Sequence, residues 1–161
     1  MIDAILIRPA HPQDFPAMKA ILRDTFERTW RPEITEAAAR RYIETDIGGG
    51  FVAHSGADML VAEADGRVAG LVHCVDDFID ALHVHSDFQR RGVGRRLLAR
   101  AEGDIAEKGF PRVRLETDTF NEQARGFYRA LGYVETAHYP DEEWQSGLTT
   151  VLMEKPLGHV E

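Results

Sequence analysis

The sequence predicts an α/β domain built on a mixed, mostly antiparallel sheet. Three observations carry this. Segments of strand character and of helical period interleave as β-α-α-β-β-β-α-β-α-β-β along 161 residues. Asp65-Gly66 stands between two apolar runs, the signature of a two-residue hairpin. A strand, a glycine-rich turn and a long amphipathic helix follow one another between Phe78 and Lys108.

The elements read in order. Ala4–Arg8 (AILIR) is a short strand. Pro12 and Asp14 open a helix whose Phe15, Met18, Leu22 and Phe26 fall three and four apart, on one face. Glu33–Thr45 carries a second helix with Ala37, Ala38, Tyr42 and Ile43 inward, and Gly48-Gly49-Gly50 is expected to end it in a flexible loop. Met59–Ala64 and Arg67–Cys74 flank the Asp-Gly turn, and Phe78–Val84 is a further strand. Gly92–Lys108 is a helix with Val93, Leu97, Leu98, Ala101 and Ile105 as its stripe, stopped by Gly109. Arg112–Thr117 alternates charged and apolar residues as a strand. Asn121 is placed to cap a helix over Glu122–Ala130, with Gly132 at its far end. Tyr133–His138 and Thr149–Lys155 are the closing strands, joined by a polar loop over residues 141–147 that could serve as a lid or dimer element. Length and the lack of a linker point to a single domain over residues 1–161.

Composition narrows the function. The formal charge of −8 argues against nucleic acid and anionic membrane as partners. No apolar run is long enough to span a bilayer, and the first residues lack the pattern of a signal peptide. The single cysteine, Cys74, forms no internal disulfide and suits a reducing cytoplasm. His73, Cys74, His83 and His85 show no metal-ligand spacing beyond the His83/His85 pair, so no metal is expected.

Against this acidic background, QRRGVGRRLLAR (Gln89–Arg100) places five arginines and two glycines at a helix start. Free N–H groups and the positive end of the helix dipole bind phosphate there. Gly92 and Gly94 let the backbone approach a ligand, and Arg90, Arg91, Arg95, Arg96 and Arg100 add charge. The P-loop and dinucleotide fingerprints are both absent.

Gln89-Arg90-Arg91-Gly92-Val93-Gly94 fits the [QR]-x-x-G-x-[GA] pattern, and NEQARGFYRALGY (Asn121–Tyr133) fits N-x-x-A-x-x-F-Y-x-x-x-G-[FY]. With Ile7-Arg8-Pro9-Ala10 and Asp14 near the start, the chain resembles the GCN5-related N-acetyltransferases (GNAT) over most of its length. The segment from Leu115 to Tyr128 is similar to the bacterial ribosomal-protein N-terminal acetylases.

The resemblance implies a sheet of about seven strands with about four helices, splayed between the fourth and fifth strands. It implies acetyl-CoA as cofactor and a primary amine of a small molecule or peptide as acceptor, acetylated directly in a ternary complex. Leu82, His83 and Val84 would lie along the pantetheine arm, Gln89 to Arg95 would hold the pyrophosphate, and Asn121 and Tyr128 would complete the cofactor site. Tyr128 would be the acid that meets the thiolate; a core tyrosine is the other reading. Asn121 could equally serve only as a helix cap. Glu116 is a candidate base, directly or through water, unless it pairs with Arg114. His83 competes for that role, with Asp80 and Glu63 behind it.

On the acceptor side stand Phe26, Trp30, Tyr42, Tyr139 and Trp144, with Glu27, Glu33, Asp141, Glu142 and Glu143. Aromatic rings with carboxylates suit a cationic amine. A homodimer is possible, and a non-catalytic acyl-CoA sensor of the same fold is the alternative function.

Overall fold

A computed structural model describes residues 4–142 and 145–158. Glu143 and Trp144, expected at the acceptor side, lie outside the described residues.

Seven strands form one sheet: β1 (Ile5–Pro9), β2 (Leu60–Ala64), β3 (Arg67–Val75), β4 (Phe78–Val84), β5 (Arg112–Asp118), β6 (Val134–Pro140) and β7 (Thr149–Pro156). Their order is β1-β2-β3-β4-β5-β7-β6. All neighbours are antiparallel except β4 and β5, which run parallel. The Asp65-Gly66 hairpin forms as expected, with φ of 54° and 73° at its two residues, the left-handed pair that such a turn requires.

The helices are α1 (Phe15–Thr25), α2 (Glu36–Glu44), α3 (Ile47–Ser55), α4 (Val93–Glu107) and α5 (Glu122–Ala130). None is long and apolar enough to cross a membrane among the described residues. Successive strand residues serve opposite faces. Leu71 joins Met18, Ile21, Leu22 and Val52 in the core beneath α1 and α3, while Val72 joins Leu97, Leu98, Ile105 and Val113 beneath α4. All five residues of the predicted α4 stripe are buried. Gly70 makes room for that packing: a Cβ there would stand 2.8 Å from the His83 carbonyl oxygen and 3.0 Å from Leu97 Cδ1.

Two expectations fail. Gly48-Gly49-Gly50 is not a loop but lies inside α3. Asp46, at φ 49°, reverses the chain, and its carboxylate lies over the first turn of α3, where a Cβ on Gly49 would come within 2.3 Å of Oδ2. A Cβ on Gly48 would stand 3.4 Å from Leu22 Cβ, so the helix approaches α1 closely. Close packing has overridden the low helix propensity of glycine. In α2, Thr35 caps the start by accepting from Ala38 N–H at 3.1 Å, and Ala38 and Ala39 turn inward, whereas Ala37 is exposed.

Candidate active site

The site begins where the sheet opens. β4 and β5 pair only at Phe78↔Arg114 and Ile79↔Leu115. The next residue, Asp80, is a β-bulge, since Ala81 faces His73 and Ile79 faces Cys74. Such an extra residue bends a strand, and pairing between β4 and β5 ends there. His73 holds the bulge, its Nδ1 2.6 Å from Asp80 Oδ1.

Beyond the bulge, one edge of β4 is open. His85 N–H donates to the Ala69 carbonyl at 2.8 Å, which sets the phase of the ladder. Antiparallel bonding alternates, so His83 and Ala81 turn their backbone groups toward β3. Leu82 and Val84 turn theirs toward the gap. The Val84 carbonyl also accepts from Gln89 Nε2 at 3.0 Å, which ties the following turn to the strand.

That turn is anchored from α1. Asp24 accepts from Ser86 N–H and Ser86 Oγ, both at 2.9 Å. Burial opposes its charge, but the two Ser86 bonds prevail and hold the carboxyl below its usual range. The chain then adopts positive φ at Arg90 (64°) and Gly92 (81°) before α4 starts. The N–H groups of Gly92, Val93, Gly94 and Arg95 have no hydrogen-bond partner among the described residues. A Cβ at Gly92 would meet nothing within 4 Å, so the turn faces open space.

The five arginines separate into two sets. Arg91 binds Asp65 at 2.9 Å, Arg96 donates to the Ile5 carbonyl at 3.2 Å, and Arg100 pairs with Asp104 at 3.2 Å. Arg90 and Arg95 are exposed and have no partner among the described residues.

The gap opens into a cavity of about 770 Å³ between α1, α5 and the ends of β5 and β6. Tyr128 lines it while only 9% exposed. Its hydroxyl has no hydrogen-bond partner among the described residues, and burial pushes its pKa up to about 12. Among the described residues no sealed side-chain polar atom lacks a partner, so this oxygen opens on the cavity. Asn121 caps α5, accepting from Ala124 N–H at 3.1 Å.

His83 projects into the same cavity, and burial pushes its imidazole down to about 4. Its Nδ1 lies 3.0 Å from Thr25 Oγ1, whose own hydrogen has the Leu22 carbonyl at 3.2 Å. A hydroxyl has one proton. If Thr25 gives it to Leu22, His83 carries its proton on Nδ1 and keeps a lone pair on Nε2.

Glu116 does not pair with Arg114, which binds Asp77 at 2.8 Å instead. Glu116 accepts a short bond from the Tyr139 hydroxyl, and the two share the cavity rim. Trp30 stands on a widened helical turn, Phe26–Trp30, after α1, and its Nε1 donates to Asp118 Oδ2 at 2.7 Å. Phe26, expected to meet substrate, lines the cavity although its accessible surface is nil, and it stacks on Tyr42 with ring centres 3.9 Å apart. Glu63 lies apart from the cavity, 3.8 Å from Arg8.

The model of the Acetyltransferase (GNAT) family matches residues 15–133. The chain belongs to the GNAT family. An uncharacterized N-acetyltransferase of Lactobacillus delbrueckii subsp. lactis is 27% identical, over 90% of this chain and 93% of its own. A GCN5-related N-acetyltransferase from Rhodopseudomonas palustris superposes with a TM-score of 0.82 at 24% identity, covering 98% of each chain. The YncA protein of Salmonella typhimurium, solved with its cofactor acetyl-CoA, superposes at 0.70 with 20% identity, over 98% of this chain and 96% of that one.

The family is one of acetyltransferases, and acetyl transfer is the activity its match supports for this chain. Two parts of this GNAT site carried no sequence signal. Asp118 belongs to no motif, and its role appears only when Trp30 arrives from 88 residues away. The His73–Asp80 pair depends on the bulge, which no residue type announces. Cys74 is half-buried with its thiol pushed up to about 11 by burial, the state of an inert packing residue.

Proposed function

We propose that this chain is an N-acetyltransferase that moves the acetyl group of acetyl-CoA directly to a primary amine in a ternary complex. One observation carries the reading: the open backbone edge at Leu82 and Val84 leads at one end to the Gly92–Arg95 amides and lies along the cavity that holds the Tyr128 hydroxyl, all without a partner among the described residues.

The residues fit the cofactor. Four amides at a helix N-terminus and the side chains of Arg90 and Arg95, all without a partner among the described residues, suit a pyrophosphate. The open edge of β4, with His83 between Leu82 and Val84, suits an extended amide-bearing arm that adds like a strand. Gln89 and Arg91 hold the turn in shape through Val84 and Asp65. When bound, acetyl-CoA supplies an activated thioester.

The chain supplies proton handling. An alkylammonium has no lone pair, so the acceptor must lose a proton first. Glu116 takes that proton, directly or through water; its negative charge also draws the cation in. His83 is neutral at pH 7, and with a value of about 4 it accepts a proton from an amine only against a steep gradient. We assign it to holding the arm and amine in place. The amine nitrogen then forms a bond to the thioester carbonyl carbon as the C–S bond breaks, and the second proton shed by nitrogen passes through water to the departing sulfur, giving the amide and the free thiol. Tyr128 donates a hydrogen bond toward the departing sulfur. A phenol near 12 does not fully protonate a thiolate near about 8.5, but it stabilises the charge developing there.

The test is to incubate the protein with acetyl-CoA and a panel of primary amines, following free thiol and the acetylated amine by mass. Stoichiometric appearance of both supports the reading. Thiol release without acetylated amine contradicts it.

A further inference from the structure

The cavity walls are one-sided in charge. Asp80, Glu116, Asp118, Asp141 and Glu142 line it, and among the described residues no arginine or lysine does. His83, the one histidine among the described lining residues, is neutral at pH 7. The cationic groups of the cleft, Arg90 and Arg95, sit instead at the start of α4. The site is therefore polarised: cationic where phosphates are expected, anionic where the acceptor enters.

Asp118 is the innermost of these carboxylates. Trp30 Nε1 fixes Oδ2, and Oδ1 has no partner among the described residues. Burial first, then the neighbouring charges of Asp141 and Glu116, raise its pKa despite the Trp30 bond. Glu116 stands two residues away on the same face of β5, roughly 7 Å along the strand. Asp141 and Glu116 repel the partly desolvated Asp118, and with no arginine or lysine among the described lining residues a cationic ligand would compensate the three carboxylates. The Tyr128 side chain, nine-tenths buried and with no hydroxyl partner among the described residues, lines the same cavity.

We infer that the acceptor is a small aliphatic amine bearing a second cationic group and no carboxylate or phosphate, with Asp118 and the Trp30 ring holding the cation that does not react. This rests on the acetyltransferase reading. One amine must approach Tyr128 and Glu116 to be acetylated. A second cation then lies within the remaining acidic wall, where an anionic substituent meets only like charge.

Three compounds with the same four-carbon chain test it: putrescine, n-butylamine and γ-aminobutyrate. The expected order of kcat/KM is putrescine above n-butylamine above γ-aminobutyrate, with about tenfold or more at the first step. Asp118→Asn should shrink the putrescine to n-butylamine ratio by about fivefold or more, chiefly through KM. Calorimetric titration of the protein saturated with coenzyme A with the same compounds reads the preference without turnover. Equal values for putrescine and n-butylamine, a preference for γ-aminobutyrate, or an unchanged ratio in Asp118→Asn overturns the inference. Acetylation of n-butylamine without preference would do so while leaving the acetyltransferase reading intact.

Discussion

The Tyr139 hydroxyl donates to the Glu116 carboxylate, which joins two residues expected on separate sides of the reaction into one unit. An acidic side chain on an exposed strand face gains a fixed direction from this bond. Glu116→Gln keeps an oxygen that can accept from Tyr139 but loses the charge. The prediction is a fall in kcat of about 10²-fold with little change in thermal midpoint. A steady-state assay beside a melting curve checks it; an unchanged kcat would move the base to a water chain.

Tyr128 separates function from folding in an unusual way. Its hydroxyl has no partner among the described residues, so Tyr128→Phe removes no internal hydrogen bond. The expected outcome is a kcat lowered about 10²-fold, coenzyme A affinity within about twofold of the parent, and a Tm unchanged or raised. A lowered Tm with normal kcat would make the tyrosine a packing residue.

His83 has a stability signature. Burial holds its folded value at about 4, against 6.5 when unfolded. Between those limits the unfolded chain carries a proton that the folded chain does not. Stability therefore rises with pH from about 4 to 6.5 and is flat above, by about 1–3 kcal/mol across the window. Comparing urea midpoints across this range, His83→Gln should show a flatter slope than the parent. Equal slopes would mean the imidazole titrates normally.

The two sets of arginines give a paired prediction. Arg95 is exposed and has no partner among the described residues, whereas Arg100 is occupied by Asp104 one turn further along α4. Arg95→Ala should weaken coenzyme A binding by about threefold to tenfold, with a smaller salt dependence. Arg100→Ala should leave binding within about twofold. The reverse pattern would place the phosphates elsewhere on the helix.

Much of this architecture was legible because it is written in local chemistry. Asp65-Gly66 adopts the left-handed pair that a tight hairpin needs, and the four-residue recurrence from Val93 to Ile105 is the buried stripe of α4. The same holds for Asn121, whose side chain caps the helix it precedes. Failures came where distant segments decide. Gly48–Gly50 reads as a loop by propensity, but the contact with Leu22 and the reversal at Asp46 make it helical. Arg114 and Glu116 do share a strand face, but the turn at Asp77 captures the arginine and leaves the glutamate to Tyr139. In each case local pattern gives the face of an element, and the partner comes from elsewhere in the chain.

The central claim is that the gap between β4 and β5, with the turn at Gly92–Arg95, holds acetyl-CoA. Calorimetric titration of the protein with acetyl-CoA tests it most directly. The account predicts saturable binding at one site per chain, with an affinity in the micromolar range, on the order of 8 kcal/mol. No detectable heat of binding, at concentrations well above that range, would contradict it.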